Sequence, residues 1–330
     1  MKSHAKLVDA FSNTTVVVLG DLVVDEFIHG EISRVSREAP VLILKHRGHS
    51  LVPGGAANAI MNLAALGVNV LPVGVVGDDE SGRALLKMFQ RAHIPVSGVQ
   101  KIKGWTTVTK TRVLAGHSHT ALQQVVRVDR EPEHSPDRHT QRELALAARK
   151  YALAADAVLV SDYGYGAASP EILNAARSGK RNPFTELPVT LDSRFRMMQF
   201  TGITAATPNE SEVEAVLGVH ISKDQARLTK CGNKLMEKMK LESLLITRGR
   251  DGMALFHGGK NPLLIPVHGS DEAKDVTGAG DTVIAVFTAA LAAGASSEEA
   301  ARLANVGGGI VVMKRGTATV SQSELKAALI

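Results

Sequence analysis

The sequence predicts an α/β protein built on a central, mostly parallel β-sheet flanked by helices, with a small β-sheet standing outside it as a lid. Three observations lead to that expectation. Short apolar runs alternate with helix-periodic segments along most of the 330 residues, the rhythm of βαβ units. Many of the runs end in a polar residue or glycine, as strands do where they emerge from a parallel sheet. Two stretches, 22–50 and roughly 97–130, show strand-like alternation with no helix between the strands.

The elements follow in order. "VVVLG" (16–20) reads as a buried strand, and "AANAIMNLAALG" (56–67) as a helix closed by a glycine cap. "NVLPVGVVG" (69–77) is a strand, followed by a helix over roughly 79–92. "DAVLVSD" (156–162), "LPVTLD" (187–192) and "SLLITRG" (243–249) are further short strands with helical segments between them. "TTVTKTRVLA" and "ALQQVVRVD" supply the helix-free strands of the second inserted stretch, expected as an antiparallel appendage. "DREPEHSPDRH" (129–139) is a polar, exposed loop. No internal repeat or low-complexity linker divides the chain. Ligands of open parallel sheets bind beyond the carboxyl ends of the strands. Attention therefore falls on Asp21, Asp162, Asp192, Asn209 and "TRGRDG" (247–252).

Composition narrows the function. Residues are 44% hydrophobic, enough for a large core, and the single cysteine, Cys231, excludes an intrachain disulfide and fits a reducing compartment. The start, "MKSHAKLVDAFSNTT", has no apolar signal core, and no window is long and apolar enough for a membrane helix. A soluble, cytoplasmic protein is expected. The formal charge is +5, but only 4% of residues are aromatic and no basic run exceeds two residues. Nucleic acid and membrane partners are therefore not expected, while small phosphorylated ligands suit the modest positive excess.

Several motifs compete for the chemistry. "VSDYGYGAAS" (160–169) imitates a dinucleotide fingerprint, yet Ser169 stands where its last glycine belongs; a structural turn is expected. His117 and His119 of "GHSHT" share a face if extended, but no third metal ligand is nearby, and exposed turn histidines are expected. The phosphate-loop Gly-Lys-Ser/Thr, HExxH and Gly-x-Ser-x-Gly signatures are absent. "DVTGAGDTV" (275–283) has two readings. In one, Gly278, Ala279 and Gly280 present unshielded amides at the positive end of a helix as an anion hole, and Asp281 is the general base for an attacking hydroxyl. In the other, Asp281 is a first-turn helix acid after a tight connection.

"PGGAANAIMNLAALG" (53–67) together with "DVTGAGDT" resembles the paired signatures of the ribokinase-like (PfkB) carbohydrate kinases. "TPNESE" (207–212) is similar to their Asn-x-x-Glu segment and "ITRGRDGM" (246–253) to their nucleotide-binding strand and turn. The resemblance spans the chain and implies one ribokinase-like kinase domain over 1–330. Within the family it is greatest to D-glycero-β-D-manno-heptose 7-phosphate kinases, through "GDLVVDEFIHGEISRVSREAPVLILK" (20–45), "TKTRVLA" (109–115), "RVDRE" (127–131) and "GTATVS" (316–321).

The resemblance implies ATP-dependent phosphorylation of a sugar-phosphate hydroxyl, heptose 7-phosphate to heptose 1,7-bisphosphate, with Mg²⁺ required. It leaves open monovalent-cation activation and a homodimer formed through the lid. It assigns Asp281 as base and Gly278–Gly280 as anion hole. Asn209 and Glu212 would organise Mg²⁺ and the ATP phosphates through water, or else cap a helix. Thr247, Gly249 and Gly252 would border the nucleotide, with Asn305 and Gly308 by the adenine. Asp21, Gly54, Gly55 and Asn58 would hold sugar hydroxyls, and Arg112, Lys110 and Arg34 the existing phosphate. Three segments depart from the heptose kinases: Tyr165 replaces a lysine, "LDSR" (191–194) replaces Asp-Pro-Lys, and "EFIHG" (26–30) a more aromatic stretch. The alternatives are a kinase for ribose, fructose or fructose 6-phosphate, and a non-catalytic sugar- or nucleotide-binding regulator.

Overall fold

The computed structural model describes residues 2–116, 122–179, 187–259, 261–269 and 273–329. His117 and His119 lie outside the described residues. The first half of the chain carries β1 (Thr15–Gly20), β2 (Leu22–Val35), β3 (Leu42–Gly55), β4 (Asn69–Gly77), β5 (Val99–Ile102), β6 (Val108–Gly116) and β7 (Gln123–Arg130). The second half carries β8 (Ala157–Asp162), β9 (Val189–Ser193), β10 (Ala205–Ala206), β11 (Ser243–Thr247), β12 (Met253–His257) and β13 (Leu263–Ile265). The helices up to the middle of the chain are α1 (Lys2–Ala10), α2 (Ala56–Ala65), α3 (Glu80–Arg91), α4 (Arg138–Ala152) and α5 (Pro170–Ser178). After them come α6 (Glu210–Leu217), α7 (Gln225–Met239), α8 (Ala279–Ala292), α9 (Ser297–Val311) and α10 (Gln322–Ala327).

Among the described residues the main sheet has the order β13-β12-β11-β10-β9-β8-β1-β4-β5. It is parallel from β5 to β11, and only β12 and β13 run antiparallel at one edge. The period-two geometry of a strand sorts β1 between two cores. Val16 and Val18 pack on one face with α2, α8 and α9, while Val17 and Leu19 pack on the other with α4, α5 and α7. A strand buried on both faces has to read as a continuous apolar run, which is how "VVVLG" reads. Helix α8 is buried from Asp281 through Ala290. Its polar Thr288 is satisfied by Thr190 Oγ1 and Ile284 O, each at 2.7 Å.

Among the described residues the lid is a separate four-stranded sheet of order β3-β2-β6-β7. It is mixed rather than antiparallel: β2 pairs with β6 in parallel, because the chain crosses the main sheet through β4, α3 and β5 before returning. Residues 99–102, expected within the inserted segment, instead form the edge strand β5 of the main sheet, paired in parallel with β4. Both ends of the β2–β3 hairpin are joined to the core without slack. β2 starts two residues after β1, and β3 runs directly into α2 at Ala56. Among the described residues no helix is long and apolar enough to cross a membrane.

Candidate active site

The amino end of α8 meets α2, the lid and the loop after β8, and Asp281 sits where they converge. Gly278 caps the helix at φ +77°, a conformation that glycine takes without strain. A Cβ there would come within 2.4 Å of Asn58 Nδ2. Asp281 is 5% exposed. Its Oδ2 accepts from Asn58 Nδ2 at 2.9 Å and its Oδ1 from the Tyr163 hydroxyl at 3.0 Å. Burial pushes the carboxyl up to about 6; the hydrogen bonds from Asn58 and Tyr163 oppose that, the charge of Asp25 adds to it, and Lys110 opposes it. Asn58 is held in turn: its Oδ1 accepts from Asn62 Nδ2 at 3.1 Å, and Asn62 Oδ1 accepts from Thr282 Oγ1 and Val320 N. The base candidate thus stands in a buried hydrogen-bonded network linking α2, α8 and the segment before α10.

One cleft beside it is lined by all five residues expected at the nucleotide: Thr247, Gly249, Gly252, Asn305 and Gly308. Ala279 and Gly280 line it too, with Met253, Val267 and Val283 as apolar wall. Gly252 serves the fold as well, since a Cβ there would fall 2.1 Å from Ile265 O. Gly280 differs: a Cβ would meet nothing within 4 Å, because it would project into open space. Asn209 and Glu212 form a capping box at α6, each side chain accepting from the other's backbone N–H at 2.9 Å. Their helix-capping role is therefore realised.

Glu212 nevertheless belongs to an acidic line towards Asp281. Burial raises the Glu212 carboxyl, while its Asn209 contacts and Arg194 lower it. Asp192 at the end of β9 is raised well above the carboxylate range by burial, then by the charges of Glu212 and Asp281. Among the described residues, no three His, Cys, Asp or Glu side chains are grouped closely enough to hold a metal ion. Mg²⁺ keeps several waters and takes one or two carboxylates beside substrate phosphates, so this donor set suits it.

On the lid side the sequence expectation needs correction at Asp21. Both of its oxygens are occupied by backbone amides, Oδ2 by Tyr163 N (2.8 Å) and Tyr165 N (3.0 Å) and Oδ1 by Ala167 N (2.8 Å). It is 2% exposed and its carboxyl is pushed up to about 6, by burial against the three amide bonds. Asp21 therefore fastens a loop, and those amides grip a carboxylate instead of the phosphate that a dinucleotide turn would bind. The acid that shares the space around Asp281 is Asp25, on the lid strand β2, whose charge is felt at both Asp281 and Lys110. Gly54 lies against it, for a Cβ there would come within 2.6 Å of Asp25 Oδ2. The signal for Asp25 was an acid inside the apolar strand run "LVVDEF", costly to bury without a purpose.

Arg112 is paired with Asp25 at 2.5 Å and faces the Phe27 ring. Arg34 is not brought to the site. It lies exposed near the far end of β2, nine residues beyond Asp25, roughly 30 Å along an extended strand. A second cleft between lid and core is instead lined by Lys110, Arg127 and Arg194 together with the acids Asp129 and Glu131 and the rings of Tyr163, Tyr165 and Phe195. Lys110 is 9% exposed. Its ammonium is pulled below the usual lysine range by burial and by Arg194 and Arg127, against the attraction of Asp25 and Asp129. Arg127 binds Asp129 through two hydrogen bonds of 2.9 and 2.7 Å. Arg194 occupies the altered "LDSR" segment and Arg127 the quoted "RVDRE", so both lay within marked segments without being singled out.

Residues 13–324 match the pfkB family carbohydrate kinase profile. The chain belongs to the pfkB carbohydrate kinase family. Similar relatives of this family member include the bifunctional protein HldE of Hahella chejuensis, 41% identical over 322 residues, covering 97% of this chain and 64% of the relative. The HldE of Trichlorobacter lovleyi is 40% identical over 321 residues, covering 96% and 63%. The chain thus spans less than two thirds of the length of the relatives it matches. Ribokinase of Arabidopsis thaliana, solved with ribose and ATP, superposes at TM-score 0.71 with 19% identity, covering 96% of this chain and 98% of that one. Phosphofructokinase-2 of Escherichia coli, solved with fructose-6-phosphate, superposes at TM-score 0.72 with 16% identity, covering 96% and 97%. These structures establish the ribokinase-like fold of the pfkB chain.

Proposed function

We propose that this pfkB chain is an ATP- and Mg²⁺-dependent kinase that phosphorylates a hydroxyl of a sugar phosphate, with heptose 7-phosphate as substrate and heptose 1,7-bisphosphate as product. The observation that carries the reading is the place of Asp281: buried at the amino end of α8, between the nucleotide-type cleft and a charged cleft under the lid that holds Lys110 and Arg194. The acceptor hydroxyl gives its proton to Asp281 while its oxygen forms the new O–P bond. The bond from the γ-phosphorus to the bridging oxygen breaks, and ADP leaves with that electron pair. Ala279 N already donates to Val276 O at 3.2 Å, so of the three amides expected to form the anion hole those of Gly278 and Gly280 hold the transferring phosphoryl, whose charge changes during the step. Asp25 orients the sugar side, while Asn58, buried and bonded to Gly278 O, Asp281 and Asn62, holds the base. Lys110 and Arg194 meet the phosphate already present, in place of Arg34, with Arg112 paired to Asp25 and Arg127 to Asp129. Glu212 and Asp192 would hold Mg²⁺ through water; bound there, the ion neutralises triphosphate charge.

A panel of heptose 7-phosphate, fructose 6-phosphate, fructose and ribose, each with ATP and coupled detection of ADP, tests this reading. Heptose 7-phosphate is expected to give the highest kcat/KM. Efficient turnover of an unphosphorylated sugar with heptose 7-phosphate ignored would overturn the substrate; ligand binding without ADP release would make the chain a regulator.

A further inference from the structure

Tyr163 touches the base candidate, and three separate features bring it there. Its backbone N–H is one of the three that Asp21 holds, so a carboxylate expected to bind sugar fixes the loop that carries the ring. Gly55 makes room for the ring: a Cβ at that residue would stand 3.1 Å from Tyr163 Cε2. The Lys110 ammonium lies over the ring, 4.9 Å from its centroid, so the lid rests on the same side chain. From this seat the hydroxyl donates to Asp281 Oδ1 at 3.0 Å, opposite the Asn58 bond to Oδ2.

We propose that Tyr163 is the positioning residue of the base, its hydroxyl fixing the carboxylate of Asp281 in the orientation that receives the acceptor proton. The inference rests on the reading of Asp281 as base. With one donor on each oxygen the carboxylate cannot turn about its Cβ–Cγ bond without losing both bonds, and each oxygen keeps a lone pair for the substrate. Tyr163 does not take the proton itself. Burial, then the charges of Asp281 and Asp192, hold the phenol well above its usual range, so it stays a donor. As a donor it favours the ionised form of Asp281 and opposes the effect of burial. The other groups bearing on that carboxylate are Asn58 from α2, Asp25 from β2, Lys110 from β6 and Asp192 from β9.

Tyr163→Phe keeps the ring, its place beside Gly55 and the Lys110 contact, and removes only the hydroxyl. Rates are measured from pH 5 to 9 with saturating ATP and heptose 7-phosphate. The base must be ionised, so activity falls on the acid side; in the variant that limb moves up by about one pH unit. kcat near pH 6 falls about fivefold and the sugar KM changes less than about twofold. Tyr165→Phe is the control from the same loop, because that hydroxyl donates to Glu131 (2.5 Å) and not to Asp281; its acid limb stays in place. An unmoved limb in Tyr163→Phe would overturn the inference. So would a gain in activity with a lower sugar KM, which would mean that the hydroxyl merely occupies the substrate's position. Asp281→Asn separates the two readings. If it keeps near-normal turnover, the base assignment fails and this inference with it. If it is inactive while the Tyr163→Phe limb is unmoved, only the role of Tyr163 fails.

Discussion

Replacing Asp281 by asparagine should make the protein both inactive and more stable, and the two effects have one cause. Folding raises this carboxyl from 3.8 to about 6, chiefly through burial. A carboxyl raised in the fold contributes stability below its unfolded value, which is lost as pH rises through its folded value. At pH 7.5 the charge is therefore held at a cost, roughly 3 kcal/mol for a shift of about two units at 1.36 kcal/mol each. Asparagine has no charge to bury. Its oxygen can still accept from Asn58, and its NH₂ can donate to the Tyr163 oxygen once that hydroxyl turns. Urea unfolding at pH 7.5 should show Asp281→Asn about 1–3 kcal/mol more stable than wild type, with the gain shrinking towards zero near pH 4. Coupled ADP assays on the same protein should show turnover lower by about 10²–10⁴, the usual worth of a positioned base. A less stable variant at pH 7.5, or a gain that does not depend on pH, would refute burial as the origin of the raised carboxyl. Near-normal turnover would remove Asp281 from the proton's path.

Other substitutions separate fold from function. Gly280→Ala should leave the urea midpoint unchanged or slightly higher, since its Cβ meets nothing, yet raise the KM for ATP about tenfold by entering the cleft. Gly278→Ala should cost about 1–3 kcal/mol in the same urea assay, from its φ of +77° and the crowding of Asn58. Arg112→Met should destabilise by about 3 kcal/mol, because it leaves the nearly buried Asp25 unpaired; Asp25→Asn in the same protein should restore more than half of that in urea melts.

The architecture was largely legible because its signals are local. The helix over roughly 79–92 spans Glu80–Arg91, and "NVLPVGVVG" is β4 residue for residue. That the five residues expected at the nucleotide would line one cleft was legible for the same reason: Thr247, Gly249 and Gly252 share a turn, and Asn305 and Gly308 lie one helical turn apart. The sugar side was harder to read. Asp21 and Asp25 are both acids near the end of β1, and which faces the cleft depends on amides some 142–146 residues later in the chain closing on Asp21. Tyr163 was hidden in a segment dismissed as a false dinucleotide turn, whose amides do gather on an anion, but on one that the protein supplies. Arg34 was misplaced because a pattern along a strand does not reveal how far the strand carries its tip.

The seamless joins of the lid have a consequence for how such an enzyme can change. β3 passes into α2 at Ala56, two residues before Asn58, whose side chain bonds Asp281, so the root of the hairpin and the residue that holds the proton acceptor form one continuous piece of chain. The tip around residues 36–41 is exposed and remote from that root. Insertions or exchanges at the tip would leave the chemistry intact, whereas a single residue added at Gly55 would displace Asn58. Along this one hairpin, diversification and conservation are expected to be segregated by position, with freedom to vary at the tip and the obligation to keep the reaction at the root.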